Sequence, residues 1–135
     1  MTKVKWGFME DTNKPNGAGI KRIFKASYCS YLGLKAAFKE ESAFRQELLL
    51  ACLMLPVSFF LAVSVMHWAI LVSVLLLVLI VELLNSAIEA LTDRVSTEHH
   101  ILSGRAKDMG SAAVTLSLLI VAVTWGTAIY AKFIS

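Results

Sequence analysis

The sequence predicts an all-α integral membrane protein with three transmembrane helices and an amphipathic surface helix before them. Three observations lead there. The 135 residues are 57% hydrophobic, with a mean hydropathy of +0.67. One domain of this size cannot bury that much apolar surface in water. The apolar residues also fall in runs of bilayer length. Finally, charge is segregated: Leu48–Val81 contains no Asp, Glu, Lys or Arg, whereas nine Lys and Arg residues, from Lys3 to Arg45, precede it.

Residues 1–18 are polar, and Pro15 and Gly17 mark a turn, so this stretch reads as a flexible tail. Its pattern does not match a cleaved signal, and the first apolar run is expected to be retained. Residues 19–135 read as a single membrane unit. Across 19–47, Ile20, Phe24, Ser27, Tyr31, Leu34 and Phe38 recur at four- and three-residue spacing on one side of a helix. Lys21, Arg22, Lys25, Lys35 and Lys39 form its basic complement. Such a helix suits the headgroup layer of a membrane containing anionic lipid.

Residues 48–66 are the first span, at roughly 28 Å for a helical rise of ~1.5 Å. Pro56 falls mid-run, where it can kink the helix. His67 and Trp68 mark a short turn, with Trp68 as an interfacial anchor. The second span covers 68–91. A polar stretch, 95–111, then reads as a loop and the start of the next helix. The third span covers 112–131, with Trp125 and Tyr130 towards its far end. Lys and Arg are concentrated in the amino-terminal segment and the second connection. The positive-inside rule therefore predicts a cytoplasmic amino terminus and a carboxyl terminus outside. Cys29 and Cys52 make no disulfide framework.

The densest chemistry lies in Val81–Arg94. At about 100° per residue, Glu82, Asn85, Glu89 and Asp93 share one stripe, with Leu83, Leu84, Ile88 and Leu91 opposite. Carboxylates at a membrane edge need a cation, basic side chains or protonation to offset them. A second acidic cluster, Glu40–Glu47, precedes the first span at the same interface. Glu41 and Arg45 are spaced to pair on a helix surface, but carboxylates from the two segments could also converge on a divalent cation such as Mg²⁺. The third element, Glu98–Ser111, holds Arg105 and Lys107, which could neutralise phosphate. Phosphate-binding loops of the GxxxxGK[ST] type, kinase catalytic motifs and HExxH are all missing. No nucleic-acid partner is expected.

Three strings carry a resemblance to the small prokaryotic diacylglycerol kinase family: Glu41–Glu47, Val81–Ala90 and Leu102–Val114. The similarity runs from about Gly19 to the end. It implies a bacterial inner-membrane homotrimer with active sites shared between subunits. It implies phosphorylation of diacylglycerol, or a similar lipid alcohol, to phosphatidic acid with ATP and Mg²⁺. Glu82 would be the general base, Glu41 and Glu89 would bind the metal, and Asn85 would help order the site. Arg22, Lys107 and Asp108 would contact nucleotide, with Glu98 and His100 near the adenine. Lys35, Phe38, Ala43, Phe44, Arg45, Glu47, Ser111 and Trp125 would contact the lipid substrate, together with Arg22 and Glu82. Cys29 stands where family members carry Tyr, and His99 replaces an aromatic. Two other functions fit parts of the pattern: an undecaprenol kinase of the same family, and a non-enzymatic membrane scaffold.

Overall fold

A computed structural model describes residues 19–95 and 100–134. The expected tail 1–18 lies outside them. Among the described residues the regular structure is entirely helical: α1 (Ile20–Glu40), α2 (Ser42–Leu61), α3 (Val65–Val95) and α4 (Ile101–Phe133). The chain forms two compact units, one up to Gly33 and one from Leu34 onward.

In the first unit, Gly19 adopts φ +72°, a backbone region that a side chain would disfavour, and its carbonyl accepts from Arg22 N–H at 3.1 Å. Helix α1 starts immediately after it. Ile20, Ile23, Phe24 and Tyr31 are exposed.

In the second unit, a single residue, Glu41, separates the end of α1 from the start of α2. The sequence pattern carries one helix from 19 to 47, but the structure breaks it at Glu41, whose backbone is extended (φ −103°, ψ 114°). Arg45 secures the break by donating from Nη1 to the carbonyls of Phe38 (3.1 Å) and Lys39 (3.2 Å). These are last-turn carbonyls of α1 that lack helical partners, and a cation there also suits the helix dipole.

Pro56 lies inside α2 without ending it. Near it, the fully buried Ser58 donates Oγ–H to Leu55 O at 2.6 Å. The turn to α3 falls at Ala62–Ser64, earlier than the expected His67–Trp68. Capping sets this position: Ser64 Oγ accepts from His67 N–H at 3.1 Å, and His67 Nδ1 accepts from Val63 N–H at 3.3 Å. Phe59 and Trp68 stack across the turn with centroids 5.2 Å apart.

Helices α2, α3 and α4 are each long and apolar enough to cross a membrane. At ~1.5 Å per residue, the 31 residues of α3 and 33 of α4 reach roughly 46 and 50 Å, against a hydrocarbon core of ~30 Å. Both helices therefore overhang by several turns, and their polar residues lie at α3's end and α4's start. Helix α4 begins at Ile101, so the helix start expected within the polar stretch 95–111 takes up most of it. Polar side chains on an overhang can face water without breaking the helix.

Helix α3 packs against both α4 and α2. The core joins Ala51 and Leu61 of α2, Leu71 and Leu75 of α3, and Trp125 and Ala128 of α4. Beyond it, Leu49, Leu53, Leu76, Ile80, Leu116 and Val123 are among many large apolar side chains left exposed. In water that would be an aggregation surface, whereas lipid or neighbouring protein satisfies it.

A carboxylate site at the polar end of α3

The stripe expected on α3 is present and graded in burial. Glu82 is only 4% exposed, Asn85 and Glu89 are half-buried, and Asp93 is exposed. Leu84 and Leu91, on the opposite side, are exposed. Asn85 Nδ2 donates to Glu89 Oε1, one turn on, at 3.2 Å. Thr92 Oγ1 donates to the Glu89 carbonyl at 2.9 Å.

Helix α2 and the junction before it bring further carboxylates. Glu82 lies within Coulombic reach of Glu89 and Glu41, and its own charge reaches Glu47. Glu41 is half-buried at the α1–α2 break, outside both helices. Glu47 borders an apolar crevice of about 20 Å³ between Ala51, Met54, Leu75, Val78 and Leu118, and its Oε2 is buried without a partner. Phe44 is buried at 3% exposure, whereas Ala43, Lys35 and Phe38 are exposed.

Helix α4 closes the other side. Lys107 Nζ donates to Asp93 Oδ1 at 2.5 Å, tying the start of α4 to the end of α3. Asp108 and Ser111 are exposed beside it. Gly110 is buried where α4 meets α3, and a Cβ there would overlap Asn85 Oδ1. That Oδ1 is buried with no hydrogen-bond partner, as is Ser86 Oγ. His100 caps α4, its Nδ1 accepting from Leu102 N–H at 3.2 Å.

One expected site residue stands apart from this cluster. Trp125 is buried in the core, and its indole N–H donates to the Leu71 carbonyl at 3.3 Å. Arg22 is an exposed residue of the first unit. Glu98 lies outside the described residues, as does His99. Arg45 caps α1, the Glu41–Arg45 surface pair having been one of two readings of their spacing.

Among the described residues, no group of three or more His, Cys, Asp or Glu side chains is gathered to hold a metal. A Mg²⁺ ion does not require one. It keeps several waters and takes one or two carboxylates plus substrate phosphate. Glu89, already oriented by Asn85, and Glu41, both within electrostatic reach of Glu82, fit that demand.

The family model described as prokaryotic diacylglycerol kinase matches residues 28–129. The chain belongs to that family. A diacylglycerol kinase of Pseudomonas aeruginosa is 55% identical over 109 residues, covering 81% of this chain and 89% of the relative. One from Haemophilus influenzae is 48% identical, covering 80% of this chain and 92% of the relative. One from Escherichia coli K12 is 46% identical, covering 87% and 97% respectively.

Within this diacylglycerol kinase family chain, the matched region contains Glu41, Glu47, Glu82, Asn85, Glu89, Lys107 and Trp125. Arg22 precedes it. Gly110 and Asp93 touch site residues, and neither was named among the expected site residues. Sequence alone shows Gly110 only as a small residue in a polar stretch. Asp93 is visible as the last member of the acidic stripe.

Proposed function

We propose that this chain transfers the γ-phosphoryl group of ATP to the free hydroxyl of diacylglycerol, giving phosphatidic acid and ADP. The reaction takes place at the cytoplasmic edge of the bacterial inner membrane, within a homotrimer whose sites are shared between subunits. The observation that carries this reading is Glu82: a buried carboxylate near the bilayer edge of α3, with Glu89 and Glu41 acting on it. A buried acidic residue at such a depth is expensive without a functional partner.

Glu82 takes the proton from the lipid hydroxyl as its oxygen bonds to the γ-phosphorus. The bond from that phosphorus to the β–γ bridging oxygen breaks, and ADP leaves. Phosphoryl transfer of this kind needs positioning and charge neutralisation more than covalent catalysis. Glu41 and Glu89 would hold Mg²⁺, and Asn85 fixes the Glu89 carboxylate through its amide N–H. When bound, Mg²⁺ neutralises phosphate charge and polarises the transferring group. Lys107 adds a cation at the polar start of α4, next to Asp108. Arg22, Glu98 and His100 are assigned to the nucleotide by family likeness alone. Lipid reaches Glu82 along the exposed apolar faces of the spans, and nucleotide from the polar overhang, so both substrates meet at the interface. The exposed apolar side chains support a chain enclosed by lipid and by its own copies.

The test is phosphate transfer from ATP by purified protein in mixed micelles, with diacylglycerol and undecaprenol as competing acceptors. Phosphatidic acid should dominate, EDTA should abolish the reaction and Mg²⁺ should restore it. No transfer to diacylglycerol, or transfer indifferent to EDTA, would overturn the reading.

A further inference from the structure

We propose that Gly110 is a positioning residue for the carboxylate site: the space left by its missing side chain holds Asn85 in the rotamer that orients Glu89. The inference rests on the reading of Glu89 as a metal ligand.

The geometry is specific. Gly110 is buried at the crossing of α4 and α3, and it is the only described glycine at which an added Cβ would meet a neighbour within 4 Å. That neighbour is Asn85, and the overlap falls on the amide: Oδ1 lies inside contact distance and Cγ at 3.3 Å, while Cα stays at an ordinary 3.8 Å. The helix backbones therefore tolerate a methyl group at this crossing, but the Asn85 amide does not. The same amide carries the Nδ2 that donates to Glu89 Oε1 at 3.2 Å. Oδ1 and Nδ2 are fixed to one planar group, so displacing one end moves the other. A Cβ at residue 110 would rotate the amide away and release the Glu89 carboxylate to other rotamers. A metal ligand whose orienting partner is lost typically weakens metal affinity 10–100-fold.

The experiment compares wild type, Gly110→Ala, Asn85→Ala and the double variant as purified oligomers. Binding of Mn²⁺ in the presence of ATP is followed by electron paramagnetic resonance, and lipid phosphorylation is measured in parallel. Gly110→Ala should weaken Mn²⁺ binding about tenfold while its unfolding midpoint stays close to wild type. In the Asn85→Ala background, the same substitution should cost nothing further, because no amide remains to be displaced. Wild-type Mn²⁺ affinity in Gly110→Ala would overturn the inference. So would independent, multiplicative losses in the double variant. If Gly110→Ala alone fails to assemble, the double variant must regain assembly with the affinity of Asn85→Ala. Failure of both would make the glycine a packing requirement and overturn the positioning role. A wild-type protein inert towards diacylglycerol would instead remove the functional reading, so the two failures are separable.

Discussion

Trp125 reaches from α4 to α3 and donates its indole N–H to the carbonyl of Leu71 at 3.3 Å, inside the buried core. The ring supplies bulk beside Ala51, Leu61 and Leu75, and the hydrogen bond adds a fixed direction. Interhelical hydrogen bonds in membranes average roughly 0.6 kcal/mol, whereas removing a buried Trp side chain costs on the order of 3 kcal/mol. Trp125→Phe should therefore lower stability slightly and Trp125→Ala severely, measured by unfolding in mixed detergent and SDS. Equal losses would show that the N–H, not the ring, dominates.

Glu82→Gln keeps the shape of the side chain and removes the proposed base. Turnover should fall by about 10²–10⁴ while ATP with Mg²⁺ still binds. The pair of measurements is a rate assay and nucleotide binding on the same oligomer. Near-normal turnover would remove Glu82 from the reaction.

Glu41→Gln and Glu89→Gln should each raise the Mg²⁺ concentration needed for half-maximal rate by about tenfold or more. A magnesium titration at saturating ATP reads this directly. An unchanged requirement in both variants would exclude a metal held between the α1–α2 junction and α3.

Arg45→Ala removes the donor to Phe38 O and Lys39 O. Hydrogen bonds from a charged group contribute about 1.5–3 kcal/mol when well sheltered, and less when exposed as here. The expected result is faster hydrogen exchange in the last turn of α1, with exchange in the α2–α4 core unchanged. Uniformly faster exchange throughout would mean that Arg45 supports the whole bundle.

Asp93→Asn breaks the pair with Lys107, whose partners are both substantially exposed. Exposed pairs contribute little to stability, so the unfolding midpoint should not move. The freed Lys107 should bind ATP at least as tightly as before, as measured by nucleotide titration. Weaker binding would show that Asp93 aims the lysine rather than merely holding it.

Much of this could be read from residue order. The runs of uncharged residues announce the three long helices, because hydrocarbon admits few charges. The stripe from Glu82 to Asp93 follows from helical geometry alone, and Glu82 emerges as its most buried carboxylate. What sequence could not locate were details governed by single hydrogen bonds or by contact between helices. Hydropathy does not register Ser64 and His67 capping each other's ends, so the turn between the first two spans moved by several residues. Arg45 and Glu41 had the spacing of a helical pair, but an extended Glu41 ended the helix and redirected the guanidinium. Where the loop after α3 gives way to α4 was not legible, because composition cannot distinguish solvent around a loop from solvent around a helical overhang. Gly110 became informative only when Asn85 was seen against it.

The brevity of the link between α2 and α3 has a consequence for biogenesis. With only Ala62, Val63 and Ser64 outside the helices, there is no polar segment to be ferried across by itself. A half-inserted pair would leave an apolar helix stranded in water. The expected consequence is entry of the two helices as one hairpin, and a charge engineered into the turn should delay both.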